Sequence, residues 1–438
     1  MAATPLRTPA RAPNAALAAF LTRYDGLRER LPGPHEPRDA AAEVLREMGW
    51  PTPKEEPWHY TNLRPVEAQV FHEAVAETGD GTRLIAHLPA VAGPRLIFVD
   101  GRFRGDLSAL PPDVTTSTFA EGGASSGFDL LARPKRDRLV ALNTMLAEDG
   151  AIIDVAEGID GGFLLLGQLT SGQHRRVASH PRHRLRLRRG ASLVLLEVSA
   201  GEGEYLHNPV IEIDLAEGAH LTHVRLQQES AEAFHLSTVY VDTAARATYD
   251  SFSLSLGAQL GRSEIHARLG GAQAAVHLNA AQIMGGTQLS DFTTVITHDA
   301  PNCASRQTVK SVLIGRARAV FQGRIEVARV AQKTDGYQMN QALLLSPDAE
   351  INSKPELEIY ADDVKCSHGA TVGALDPEQL FYLRSRGIAA AEARMILVRA
   401  FLTDAFEAVT HEGVRAVLEH AVETWWNTTG RAAEALAS

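Results

Sequence analysis

Between about Ile152 and Val372 one small signature recurs: a turn-permissive or polar residue, then alanine, then a β-rich run. It occurs at Gly190-Ala191, Gly218-Ala219, Arg246-Ala247, Gly271-Ala272, Arg318-Ala319 and Asp348-Ala349. The steps between alanines are 28, 28, 25, 47 and 30 residues, the 47 being close to two ordinary steps. A period in the twenties built from strands is the mark of stacked solenoid coils. One coil cannot bury its own apolar face, but the coils above and below can cover it, and a small alanine after each turn lets them approach. A β-sandwich also repeats short strands. The length of the region, over 200 residues, and the absence of obvious Asn-Gly or Asp-Gly hairpin turns favour a parallel β-helix instead.

Helical texture flanks this region on both sides, so the chain divides into residues 1–150, mostly helical, 151–373, the solenoid, and 374–438, helical again. In the first part, Ala15 to Leu21 and Ala40 to Leu45 are rich in strong helix formers. Residues 64–150 are mixed, with a strand expected over Pro94 to Gly101 and a helix over Arg138 to Glu148. In the last part, Asp376-Pro377-Glu378-Gln379 carries an N-cap acid, a proline at the first helical position and a glutamine at N3. Gly387 is placed to end that helix. Two more helices are expected, from about Ala390 to Phe406 and from about Glu412 to Trp426. The plain reading is a bundle packed on the solenoid end, from which Trp425 and Trp426 are candidate anchors for a partner.

A formal charge of −10 argues against a general nucleic-acid binder. The strongest basic run spans His174 to Arg189, and its Arg184-Leu185-Arg186-Leu187-Arg188 alternation reads as a strand with one solvated face. Two cysteines cannot make a disulfide framework, which suits a reducing cytoplasm. No segment approaches the length of a membrane span, and the opening residues lack the apolar core of an export signal, reading as a ragged, mobile start.

One of the two cysteines lies two positions from a histidine, in Asp362-Asp363-Val364-Lys365-Cys366-Ser367-His368-Gly369. Thiolate and imidazole are the side chains best suited to iron, zinc or copper(I). On a strand, positions i and i+2 share a face, so Cys366 and His368 can hold one ion or one cluster edge. Two ligands never complete a tetrahedral site, and no second Cys/His pair is present, so a metal held here needs ligands from another chain. The plain alternative is that Cys366 is a small buried filler. A Cys–His nucleophile–base pair is a third reading, but nothing marks an oxyanion hole. A β-helix carbohydrate-active enzyme would use clustered carboxylates; Asp362 and Asp363, adjacent and therefore on opposite faces, are a poor couple. No phosphate-binding Gly-x-x-x-x-Gly-Lys-[Ser/Thr] loop exists.

The stretch from Ala361 to Gly373, with Leu380-Phe381-Tyr382-Leu383-Arg384-Ser385-Arg386-Gly387-Ile388, closely resembles the signature of the SufB/SufD family of iron–sulfur cluster assembly proteins. Gln332 to Asn340, Leu343 to Ser346, Ala317 to Gly323 and Trp58-His59-Tyr60-Thr61-Asn62-Leu63 also match. SufB carries a glutamate after the histidine, where this chain has Gly369, and a cysteine where it has Ala342. The resemblance is therefore to the other branch. It implies a right-handed parallel β-helix and a non-catalytic scaffold that pairs with SufB and engages the ATPase SufC through its C-terminal helices. It further implies that His368, with Cys366, faces SufB and helps to hold a transient iron–sulfur cluster or its iron. Such binding needs deprotonated ligands and weakens as pH falls. Deleting the C-terminal helices is expected to abolish SufC binding and leave the β-helix folded. Left open are a reduced flavin on the assembled complex as electron source and a homodimer of the isolated chain.

Overall fold

The computed structural model describes residues 15–73, 80–126 and 131–430; the opening segment and the last eight residues lie outside them. From Ala151–Val155 to Lys365–Gly373 the chain winds as a parallel β-solenoid of about eight turns. Each strand pairs in parallel with the strand two further along, so two rows of strands alternate around the coil. Thus Thr248–Ser255 sits between His220–Gln228 and Ala275–Met284, while Leu260–Leu269 sits between Phe234–Thr243 and Leu289–His298. The inward residues of the two rows meet in a continuous core containing Leu187, Ile213, Val241, Leu269, Leu278, Phe292 and Phe321.

The turn–alanine signature has a direct physical cause. Gly190, Gly218, Arg246, Gln273, Asn302 and Lys333 all adopt positive φ, between 58° and 67°. Each donates its backbone N–H to the next coil, as Gly190 does to Glu217 O at 2.9 Å. The following residue turns into the core: Ala191, Ala219, Ala247, Ala274, Cys303 and Thr334 are all buried. The sequence reading erred in two places. In the fourth coil the ladder uses Gln273-Ala274, and Ala272 is only half-buried. Ala319 and Ala349 both belong to the other row, where Ala349 is in register with Ala317, so the long step from Ala272 to Ala319 is a change of row and not two coils. Cys303 continues the alanine ladder, its thiol against Gly271 O at 3.3 Å, and is a packing residue. The two Asp-Gly pairs of the region, Asp160-Gly161 and Asp335-Gly336, open strands instead of hairpins.

The first end of the solenoid is closed by the chain itself. Thr115–Thr118 pairs antiparallel with Ala151–Val155, and Arg95–Val99 lies beside Leu165 to Leu169. Helices Ala15–Leu27, His35–Met48 and Arg138–Leu146 pack Phe20, Tyr24, Leu45 and Leu142 against Leu206, Leu236, Leu260 and Leu289. The basic run behaves as a solvated face: Leu185 and Leu187 are buried, while Arg186 and Arg188 pair with Asp214 and Asp154 at 3.4 and 2.8 Å.

The C-terminal helices correct two expectations. Helices Ala390–Glu407 and Glu412–Trp425 lie along the flank of the solenoid, not on its end. Val398, Leu402, Phe406 and Leu418 cover Leu226, Phe252, Leu254, Ile283 and Val312. Trp425 and Trp426 are buried in the same layer, so neither is available as a partner anchor; their apolar area is spent within the chain. Lys310, itself buried, fixes the layer by donating to Phe401 O at 2.6 Å and pairing with Asp404 at 3.0 Å. Among the described residues no helix is long and apolar enough to cross a membrane.

Candidate functional site at the open end

The last strand of one row, Lys365–Gly373, pairs on one side only, with Asp335–Leu344. The last strand of the other row, Glu350–Ile359, likewise has its single partner in Arg318–Val327. Among the described residues no further coil covers either strand. Each therefore presents an unpaired edge of backbone N–H and C=O groups, a ready template for another chain.

Cys366 and His368 stand on this last coil. Cys366 is in register with Gly336, and His368 with Gln338. Along the strand beneath, Gly336, Gln338, Asn340 and Ala342 are buried while Tyr337, Met339 and Gln341 are not. Cys366 and His368 thus continue the inward-facing set, on the same face, but with nothing stacked upon them. His368 is consequently exposed and Cys366 half-buried. Gly336 makes the thiol's seat: a Cβ there would come within 3.3 Å of Cys366 Sγ. Burial, and secondarily Asp335, pushes the Cys366 thiol above its ordinary value, so it is protonated at neutral pH.

Beneath His368 lies a polar group without partners. Gln338 is fully buried, yet neither its amide nitrogen nor its oxygen is hydrogen-bonded, and Asn340 Oδ1 is unpaired beside it. Leaving such groups unmet costs about 1–3 kcal/mol each. Gly369 is packed as well: a Cβ there would lie 2.9 Å from the Met339 methyl, so the glycine is matched to its neighbour.

On the last coil and the helix after it, several large apolar or aromatic side chains are exposed among charged ones. Tyr360, Val372, Phe381 and Tyr382 are each more than half exposed. Phe381 and Tyr382 belong to helix Pro377–Ser385, which buries none of its residues. It is capped by Asp376, which accepts from Glu378 N at 2.8 Å, and is closed by Gly387 at φ 85°. The sequence alone does not reveal this patch, because exposure of Tyr360, Val372, Phe381 and Tyr382 follows from the uncovered last coil and an unpacked helix. Asp362 and Asp363 are exposed in the loop before the last strand, Asp363 paired with Lys333.

A second ionic region fastens the N-terminal segment to the solenoid. Trp58 lies under the Arg262 guanidinium, 4.1 Å from its ring centre, and Thr61 donates to Asp291, which also pairs with Arg262. Glu264 joins Arg262 to His266 at 2.9 Å on each side. A cleft of ≈ 910 Å³ opens beside them, lined also by Asp137 and Tyr240. Burial, with nearby Glu264, holds the Asp137 carboxyl up, although Asp137 caps helix Arg138–Leu146.

Residues 169–401 match the family described as "SUF system FeS cluster assembly, SufBD core domain". The iron–sulfur cluster assembly protein SufD of Escherichia coli is 35% identical over 85% of this chain and 88% of its own length. Protein ABCI7, chloroplastic, of Arabidopsis thaliana is 31% identical over 86% of this chain and 83% of its own. An iron–sulfur cluster assembly SufBD family protein of Synechocystis is 30% identical over 88% and 89%.

Proposed function

The chain belongs to the SufB/SufD family of iron–sulfur cluster assembly proteins, on its SufD side, and from that premise we propose that its open solenoid end is the seat of SufB. The observation carrying this is the pair of unpaired parallel edges, Glu350–Ile359 and Lys365–Gly373, bordered by exposed Tyr360 and Val372. A solenoid terminus without a cap is a liability in water, and a second solenoid stacked on it removes both the edges and the apolar surface. Docking of a partner coil also brings its side chains over Cys366 and His368.

On this reading the chain supplies an imidazole and a thiol to a nascent cluster or its iron, and SufB supplies the remaining ligands. Gly336 positions the thiol, and Gln338 offers a hydrogen bond to the imidazole nitrogen that does not face the metal. The cluster is cargo, built and handed on, and the chain acts as a scaffold without turnover of its own. A reducing cytoplasm keeps the Cys366 thiol available. SufC, the ATPase, engages the C-terminal helices, with Phe381 and Tyr382 as its candidate contacts.

The test is co-purification of the chain with SufB and SufC, followed by iron and sulfide analysis. His368→Ala should preserve the assembly and lower bound iron and sulfide at least about tenfold. Full cluster content in an intact His368→Ala complex would remove His368 from the site. Loss of SufB itself would show the segment to be purely an interface.

A further inference from the structure

The coil repeat places two histidines one above the other in the interior, far along the chain from the open end. His207 closes the strand Ser192–His207, and His235, one coil later, is its in-register neighbour in Phe234–Thr243. Their rings lie 5.6 Å apart, and both residues are 2% exposed. Glu229, in the connection just before the second strand, is 5% exposed and brings a carboxylate oxygen to 2.8 Å from His235 Nδ1. One ligand atom from each residue falls within 4.8 Å of the other two.

We propose that His207, Glu229 and His235 form a buried binding site for a divalent transition-metal ion of the zinc or iron(II) class. Two imidazoles and one carboxylate are a donor set both ions accept, with coordination positions left over. Two further observations point to a ligand. His207 Nε2 is buried without a hydrogen-bond partner, an expensive arrangement for a purely structural residue. His235 Nδ1 is near Glu229 but off the line of a hydrogen bond, as nitrogen and oxygen stand when both face a common cation.

The surroundings hold these groups as supporting residues hold metal ligands. Ser179, one coil before His207 in the same column, lies 3.0 Å from His207 Nδ1, which leaves Nε2 free. Gln227 donates to Glu229 Oε2 at 3.0 Å and is itself fixed by Gly257 N. A cavity of ≈ 10 Å³ lined by Arg225, Leu226, Gln227, His235, Leu254 and Ser263 adjoins the site, room for about one water.

The full chain, stripped with chelator, is titrated with Co²⁺ as a spectroscopic probe. The proposal expects one equivalent of Co²⁺ with visible d–d bands of nitrogen–oxygen coordination and no thiolate charge-transfer absorption. These bands should persist in a Cys366→Ser/His368→Ala double variant, which separates this site from the open end. His235→Gln and His207→Gln should each weaken binding at least about a hundredfold, and Gln227→Leu about tenfold. Stoichiometric bands unchanged in both histidine variants would overturn the assignment, as would their absence in the wild-type chain. Should both histidine variants misfold by circular dichroism, the Gln227→Leu shift decides: weaker Co²⁺ binding supports the site, and unchanged binding overturns it.

Discussion

At the scale of single residues, the candidate site is defined by what is missing above it. Cys366 and His368 occupy inward positions of a coil that has no successor among the described residues, and one is half-buried while the other is open to solvent. The sequence already showed that the two share a strand face, because period two requires it. It could not show Gln338, whose significance lies in register with His368 and in its unpaired amide. Gln338→Met keeps the volume and removes the amide. We expect the isolated chain to be as stable or slightly more so, while iron retained by the complex falls roughly tenfold; equal iron content would show that the amide does not support His368. The buried histidines set a separate pH limit. His183 accepts from Ala151 N and bonds Gln168, and burial pushes it down to about 4, as it does His298. Both are neutral when folded but gain a proton near 6.5 when unfolded. The unfolded chain therefore binds more protons between about 6.5 and about 4, and stability is lost as pH falls through that window, by a few kcal/mol per histidine at most. Thermal unfolding from pH 7 to pH 5 should show a falling Tm; a flat profile would contradict the burial of these rings.

At the scale of elements, the coil was legible because its turn imposes a chemical rule. In six successive coils the turn puts one residue at positive φ and then a small or compact side chain into the core, and glycine–alanine pairs declare this openly. Where Arg246, Gln273, Asn302 or Lys333 takes the left-handed position, the rule holds but the letters hide it, and there the sequence register slipped. The paired histidines of the interior were hidden for a related reason: residues one coil apart are neighbours only once the register is known. The C-terminal helices were legible as helices, through caps and composition, but not in their placement. Their apolar excess is consumed by the solenoid flank, which also revises the expected result of truncation. Removing them would uncover Leu226, Phe252, Ile283 and Val312 and so compromise the solenoid along with any SufC contact. Trp426→Ala should cost about 3–5 kcal/mol, read from chemical denaturation of the full chain. A change below about 1 kcal/mol would mean that the helical layer is only loosely attached.

At the scale of the whole molecule, one end of the solenoid is closed and the other is not. The chain spends its N-terminal strands and helices on the first coil and on one side, and its C-terminal helices on another, and among the described residues nothing pairs with the outer edges of the final two strands. This asymmetry is the basis for the proposal that SufB docks on this end. The most direct measurement is hydrogen–deuterium exchange of the chain alone and in complex with SufB. New amide protection should concentrate in Glu350–Ile359 and Lys365–Gly373. Protection that appears elsewhere, while these two strands exchange as fast as in the free chain, would contradict the account.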